Sequence, residues 1–244
     1  MNIADRYRDG GRKFASWRDT HLRVSGAVVA ALQYSFATDW AFIGKGLLTE
    51  GAGSSSPRVH GIRCDAHLTT SGPTDQWCNI EFLFLKAIGT AQKRIYIQTP
   101  YFLPTESLLR ALQTAALSRV DVRVMIPRHS DSTMLTSASN SYISECLAAG
   151  IKIYFYDAGM LHSKMVLVDD DFCSVGSTNF DFRSFEHNFE SNLFIYTPEF
   201  NEKMRHIFHA DMEKCRQIRQ PGWRRRPLHR KIIESIVRLL SPIL

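Results

Sequence analysis

In its C-terminal half the chain reads Leu161-His162-Ser163-Lys164, then Asp169, then Gly176-Ser177-Thr178-Asn179. An imidazole two residues from an ammonium group suits the chemistry of a phosphodiester. Neutral imidazole can attack phosphorus and form a covalent phosphoenzyme. A lysine cation, helped by amide and hydroxyl donors, can hold the phosphoryl oxygens as charge develops. The scheme calls for no metal or cofactor, and no cluster with metal-ligand spacing occurs in the sequence. The imidazole needs an acid on its other nitrogen to fix its tautomer. Glu190, in the run Glu190-Ser-Asn-Leu-Phe-Ile195, is the expected partner of His162. A second His-x-Lys, His229-Arg-Lys231, has Ile236 where the pattern needs Asp, and no Gly-Ser-x-Asn follows it.

The elements that must hold these residues follow from periodicity. Residues 160–168 read as a strand, which puts His162 and Lys164 on one side and buries the apolar run Met165 to Val168. Gly176 to Asn179 then fall on a turn after the next strand. Strands are expected at 19–24, 59–64, 94–98, 120–126, 151–156 and 188–196. Helices are expected at 26–43, 76–91, 105–117 (capped by Thr105), 136–149 (closed by Gly150) and 198–216. Such alternation predicts an α/β sandwich with a central mixed, mostly parallel sheet flanked by helices. The run Gly51 to Pro57 is the best linker candidate. The organisation expected is residues 1–50, a main domain at 51–218 and a tail at 219–244.

Charge separates the tail from the rest. Residues 219–244 hold seven basic side chains and one acid, leaving 23 of each sign among the other 218 residues. The body is therefore neutral, which argues against nucleic acid as a partner. In the tail, apolar positions 232, 233, 236, 237, 239, 240 and 243 recur at helical spacing beside the basic run. That C-terminal amphipathic helix fits either an anionic membrane surface, reached through residues 223–244, or docking on the body. No apolar run approaches the ~20 residues of a bilayer span, and the first ten residues lack a signal-peptide core. Five cysteines without CxxC spacing suggest reduced, structural thiols.

The pattern His162-x-Lys164-x4-Asp169-x6-Gly176-Ser177-x-Asn179 resembles the His-Lys-Asp motif of the phospholipase D superfamily. Gln98-Thr-Pro-Tyr-Phe-Leu-Pro104, Val124-Met-Ile-Pro127 and Leu240-Ser-Pro-Ile-Leu244 resemble the bacterial cardiolipin synthases of that superfamily. The resemblance implies two motifs per active site, one histidine as nucleophile and the other as acid for the leaving alcohol. It implies His162 as one of the pair, Lys164, Ser177 and Asn179 as phosphate ligands, Glu190 as partner of His162, and Asp169 as a residue that holds the motif together. It further implies a phosphatidyltransferase acting on phosphatidylglycerol or another anionic phospholipid, peripheral at the bacterial cytoplasmic membrane.

Only one complete motif is present. Asp19-Thr-His-Leu-Arg-Val24 nevertheless parallels Glu190-Ser-Asn-Leu-Phe-Ile195, and Met1-Asn2-Ile-Ala-Asp-Arg6 parallels Thr178-Asn179-Phe-Asp-Phe-Arg183. Residues 1–50 therefore read as the remnant of a first half, with Asn2 closing its motif and Asp19 the acid for an absent histidine. The expectation is a truncated chain, its site completed by a missing N-terminal half or by a homodimer. The competing readings are a single-motif homodimeric phosphodiesterase or nuclease, and an inert fragment.

Overall fold

The computed structural model describes residues 4–46 and 60–243. Asn2 and the linker run at 51–57 lie outside the described residues. The N-terminal segment holds α1 (Arg6–Asp9), β1 (Trp17–Arg18) and α2 (Ala27–Phe42). Then come β2 (Ala66–Ser71), α3 (Asn79–Thr90), β3 (Arg94–Gln98), β4 (Phe102–Leu103), α4 (Glu106–Leu117), β5 (Asp121–Pro127), α5 (Thr133–Ala148) and β6 (Lys152–Tyr156). The motif region holds β7 (Met160–Leu161), β8 (Met165–Val168), β9 (Phe172–Gly176), β10 (Phe180–Asp181), α6 (Phe182–Glu186) and β11 (Glu190–Ile195). The chain ends with α7 (Pro198–Met212), β12 (Cys215–Ile218), α8 (Gln220–Arg224) and α9 (Leu228–Arg238).

Eight strands form the central sheet in the order β12-β6-β5-β3-β8-β9-β11-β2. The sheet is mixed, as expected, but not mostly parallel. Only β3–β5 and β5–β6 run parallel; the other five pairings are antiparallel. The two parallel pairs are the ones joined by helical crossovers, α4 and α5. β8 and β9 connect by a short turn, which can join only antiparallel neighbours, and β9 reaches β11 through β10 and the short α6 rather than a long helical crossover.

Strand alternation divides the core into two layers. Ile95, Ile97, Val166 and Val168 face α3, α4 and α5, packing on Phe84, Leu108 and Ile143. Tyr96, Met165 and Leu167 face the other way, onto Met204 and Phe208 of α7. Both faces of β3 and β8 are thus covered, which explains their unbroken apolar sequence. Thr105 caps α4 by accepting from Leu108 N at 3.4 Å.

Several boundaries differ from expectation. Residues 19–24 are irregular, and the N-terminal segment pairs instead through β1, in parallel with β7. The strand expected at 59–64 is β2, some seven residues later, paired with β11. The helix expected to reach 216 ends at Met212, and Cys215 to Ile218 add an edge strand beside β6. That last error is a matter of length: one apolar-periodic run covers a helix end and a short strand.

The tail does not hang free of the body. Trp223 is buried, with its ring against Phe155 at 5.9 Å. Buried Glu234 of α9 accepts two bonds from the Arg226 guanidinium, at 2.6 and 2.9 Å. Arg238 lies over Tyr142 of α5 at 4.2 Å and pairs with Glu145. The helix docks by this face and leaves Leu228, Ile232, Ile236 and Leu239 exposed. No described helix is long and apolar enough to cross a membrane.

Candidate active site

The continuous strand expected at 160–168 is broken. β7 stops at Leu161 and β8 starts at Met165, so His162, Ser163 and Lys164 lie on irregular backbone between them. The break lets the two functional side chains touch. Lys164 Nζ lies 2.9 Å from Nε2 and 3.1 Å from Nδ1 of His162, and 2.8 Å from the His162 carbonyl. Strand alternation alone would place the two side chains in parallel rather than one across the other.

The N-terminal segment clamps this turn. His162 N donates to Arg18 O at 2.7 Å, and Met160 N to Ser16 O at 2.9 Å. Ser163 Oγ meets Thr20 Oγ1 at 2.7 Å. Gly159 sits at φ 138°, and a Cβ there would lie 2.4 Å from the Ser16 carbonyl, so the close approach of β1 needs glycine. Arg18 is fixed by a pair of contacts to Asp211, at 3.1 and 2.8 Å, and Gln98 supports the same carboxylate at 3.0 Å. The Trp17 ring stands 5.0 Å from the His162 ring.

This clamp delivers Asp19. Its Oδ2 lies 3.0 Å from His162 Nδ1, and its Oδ1 accepts from Thr20 N at 2.9 Å. Burial alone would raise the Asp19 pKa. The hydrogen bond to His162 and the charges of His162 and Lys164 outweigh it and hold the carboxyl below its usual range. An aspartate on Nδ1 leaves Nε2 as the reactive nitrogen.

Glu190 has other partners. Its carboxylate accepts from Ser177 Oγ and, at 3.2 Å, from Asn188 Nδ2. Burial pushes its pKa up against the lowering effect of those bonds. The expected Glu190–His162 pair is therefore corrected: Asp19 orients His162. Asp19 was expected to serve an absent histidine, and the geometry gives it to the histidine that is present. The signal was available in the Asp19/Glu190 parallel, but sequence cannot say whether equivalent acids serve their own half or the opposite one.

A cavity of about 690 Å³ joins these groups. Asp19, His162, Lys164, Ser177 and Glu190 all line it, as does His21, which the sequence gave no reason to single out. His21 Nε2 is 3.9 Å from Asp19 Oδ2. Apolar wall is supplied by Val24, Leu32, Leu68 and Phe189. Lys164 is the cation among Asp19, Glu190, Asp181 and Asp131. Its burial nevertheless outweighs those carboxylates and brings its pKa down to about 8.

Asp169 holds the motif rather than facing the cavity. It occupies the left-handed turn between β8 and β9 at φ 50°, a conformation Asp tolerates. Its carboxylate accepts from the backbone N–H groups of Gln92, Lys93 and Arg94 at 2.8, 2.7 and 2.9 Å. Gly176 gives close approach: a Cβ would sit 2.1 Å from Asn192 Oδ1. Asn179 is not among the residues that line the cavity. Its Oδ1 is buried with no hydrogen-bond partner, and its side chain bonds the buried Asp181.

A family model described as "Cardiolipin synthase, PLD-like domain" matches residues 84–212. The chain belongs to this family. The cardiolipin synthase of Listeria monocytogenes serotype 4a is 42% identical over all of this chain, which covers 51% of that protein. Cardiolipin synthase 2 of Bacillus cereus is 40% identical over all of this chain and 48% of its own length. The chain thus spans about half the length of the curated relatives it matches. The fold is that of the phospholipase D family. Nuc from Salmonella typhimurium superposes with a TM-score of 0.54 at 22% identity, over 64% of this chain and 99% of that one. Phosphatidylserine synthase from Haemophilus influenzae superposes with a TM-score of 0.59 at 15% identity, over 73% of this chain and 47% of that one. The family match begins at residue 84 and so leaves out the N-terminal segment that supplies Asp19.

Proposed function

We propose that the chain is half of a phosphatidyltransferase of the cardiolipin synthase type, with His162 as one histidine of a two-histidine site. The observation that carries this is His162 held by Asp19 on Nδ1 and touched by Lys164, on the wall of a cavity with an apolar side. In the reaction, the lone pair of an imidazole Nε2 forms a bond to the phosphorus of one phosphatidylglycerol. The bond from phosphorus to the headgroup glycerol oxygen breaks, and that oxygen takes a proton from an acid, releasing glycerol. The hydroxyl of a second phosphatidylglycerol then attacks the phosphohistidine, gives its proton to the same group, and frees the histidine. Lys164 offsets charge on the phosphoryl oxygens, and Ser177 on the cavity wall is the other proposed phosphate contact; Asn179, turned to Asp181 off that wall, acts behind them.

The second histidine is required by pairing. Asp19 and Glu190 occupy equivalent places in the internal repeat, and Asp19 serves His162. By the same logic Glu190 stands ready for a histidine of another half. Among the described residues no imidazole lies against it. That histidine is supplied by a first half or by a second copy of this chain. The exposed apolar face of α9, beside the basic run of residues 219–231, holds the assembly at the membrane surface.

The test is alkaline-quenched trapping of label from phosphatidylglycerol on the 244-residue chain, alone and with a first half taken from a two-motif relative. The reading expects label on His162 and its loss in His162→Ala. Cardiolipin formation should need the added half or a dimer of the chain, because acid assistance contributes ~10²–10⁴-fold. Full turnover by a monomer, or label surviving in His162→Ala, would overturn it.

A further inference from the structure

A second cavity, of about 670 Å³, lies between α5, β12, α8 and α9. It shares no lining residue with the His162 cavity. Five arginines line it: Arg128, Arg216, Arg219, Arg226 and Arg230, joined by His129. Among the described residues the only carboxylate on its wall is Glu234, whose charge is taken up by Arg226. Arg128 and Arg216 share Asp157 at 3.5 and 4.0 Å, both long contacts. Arg219 and Arg230 make no ion pair among the described residues. The cleft therefore carries three arginine charges that nothing nearby matches. Like charges gathered around one hollow repel each other, and an anion in the hollow relieves that repulsion.

The surroundings say which anion. Ile233 lines the cleft and is half exposed, and the same helix turns Leu228, Ile232, Ile236 and Leu239 to solvent. A free phosphate ion would use the arginines and leave this apolar face uncovered. A diacyl phospholipid uses both, with its phosphate among the guanidinium groups and its chains along α9. Arginine's planar fork also matches phosphate oxygens two at a time.

We propose that this cleft is a binding site for the phosphate headgroup of an anionic phospholipid, distinct from the His162 cavity. It rests on the reading that α9 meets the membrane. The site turns loose surface adsorption into a seated contact: α9 and the body grip one lipid between them. It also uses Arg128, Arg216 and Arg219, which lie outside the amphipathic helix.

The experiment compares sedimentation of the 244-residue chain with vesicles of phosphatidylcholine alone and of phosphatidylcholine with phosphatidylglycerol. Arg219→Gln/Arg230→Gln removes two cleft charges. Arg224→Gln/Arg225→Gln removes two exposed charges that do not line it. Each pair should lose roughly 25-fold through general surface charge, at about fivefold per residue. The cleft pair should lose at least tenfold more, and soluble glycerophosphoglycerol should displace the parent chain but leave the residual binding of the cleft pair unchanged. Equal losses in the two pairs would overturn the site and leave the membrane reading intact. A chain that ignores both vesicles would overturn the membrane reading. If inorganic phosphate still raised its melting temperature in a manner the cleft pair abolished, the ligand would be the free ion and the lipid assignment would fall.

Discussion

Replacing Lys164 by Met should make the protein more stable at neutral pH while removing the charge proposed to hold phosphate. Burial lowers the Lys164 pKa from its ordinary 10.5 to about 8. At about 1.4 kcal/mol per pH unit, that difference places a cost of about 3 kcal/mol on the folded state wherever the lysine is charged. The folded pKa is the lower one, so the full cost applies below pH 8 and fades as pH rises from 8 toward 10.5. Methionine keeps the length of the chain and its apolar stem. It forfeits the bonds to the His162 carbonyl and ring, for a net loss of about 1–1.5 kcal/mol. The expected gain at pH 7 is therefore about 1–2 kcal/mol, or a few degrees in melting temperature. By roughly pH 9.5 the ionisation cost has fallen below half, and the advantage should have vanished. Urea denaturation of both proteins across this range reads the difference directly. Ionisations that do not feel Lys164 cancel in the difference, which leaves Lys164 and the carboxyls it acts on, Asp19 and Asp181. A variant that is less stable at pH 7, or a difference that does not change with pH, would refute the claim that burial of the charge dominates.

Other perturbations separate the roles assigned above. Asp19→Asn should slow phosphohistidine formation on His162 by roughly 10²–10⁴-fold, whereas Glu190→Gln should leave that step within a few-fold. The reverse ranking in the trapping assay would restore Glu190 as the partner. Asp169→Ala removes a charged acceptor from three backbone N–H groups and an Asp from a left-handed turn. It should cost about 2–4 kcal/mol in urea denaturation. Gly159→Ala should lift the N-terminal segment off β7, since the new methyl carbon would meet the Ser16 carbonyl at 2.4 Å. Faster tryptic cleavage after Lys13 or Arg18, with the midpoint of global unfolding little changed, is the expected result. Activity that depends on charged Lys164 should decline as pH rises through about 8, unless bound phosphate holds the proton on.

Most of the sheet could be read from sequence because its strands are buried on both faces and flanked by turn residues. The Arg94–Gln98 strand, the β5 and β6 region and the helix caps at Thr105 and Gly150 fall where periodicity puts them. The mostly parallel expectation failed at the motif. Alternation with helices suggests parallel crossovers, whereas β8, β9 and β11 are joined by a turn or a short helix. The chemistry of His162 and Lys164 was legible because types and spacing carry it. The break in the strand between them was not, because Ser163 is compatible with a strand and reaches Thr20 only through the tertiary fold. The pocket beside α9 was also out of reach, since only the fold brings Arg128 to Arg216, Arg219, Arg226 and Arg230.

The crossed acid changes what one copy of the motif can be. Had Glu190 served His162, residues 160–195 would form a complete half-site and the N-terminal segment would be dispensable. Instead His162 draws its tautomer from Asp19, 143 residues away in sequence. The link between them is a two-residue parallel strand pair held by Arg18 on Asp211. Glu190 then has no imidazole of its own among the described residues, although burial and its bonds to Ser177 and Asn188 keep its carboxyl in place. A carboxyl buried without a cationic partner is costly to retain. It is understandable if a histidine from a matching half completes the pair, so that each half supplies the acid for the other's histidine. On that logic neither half can be catalytically whole alone, because each holds the group that makes the other reactive.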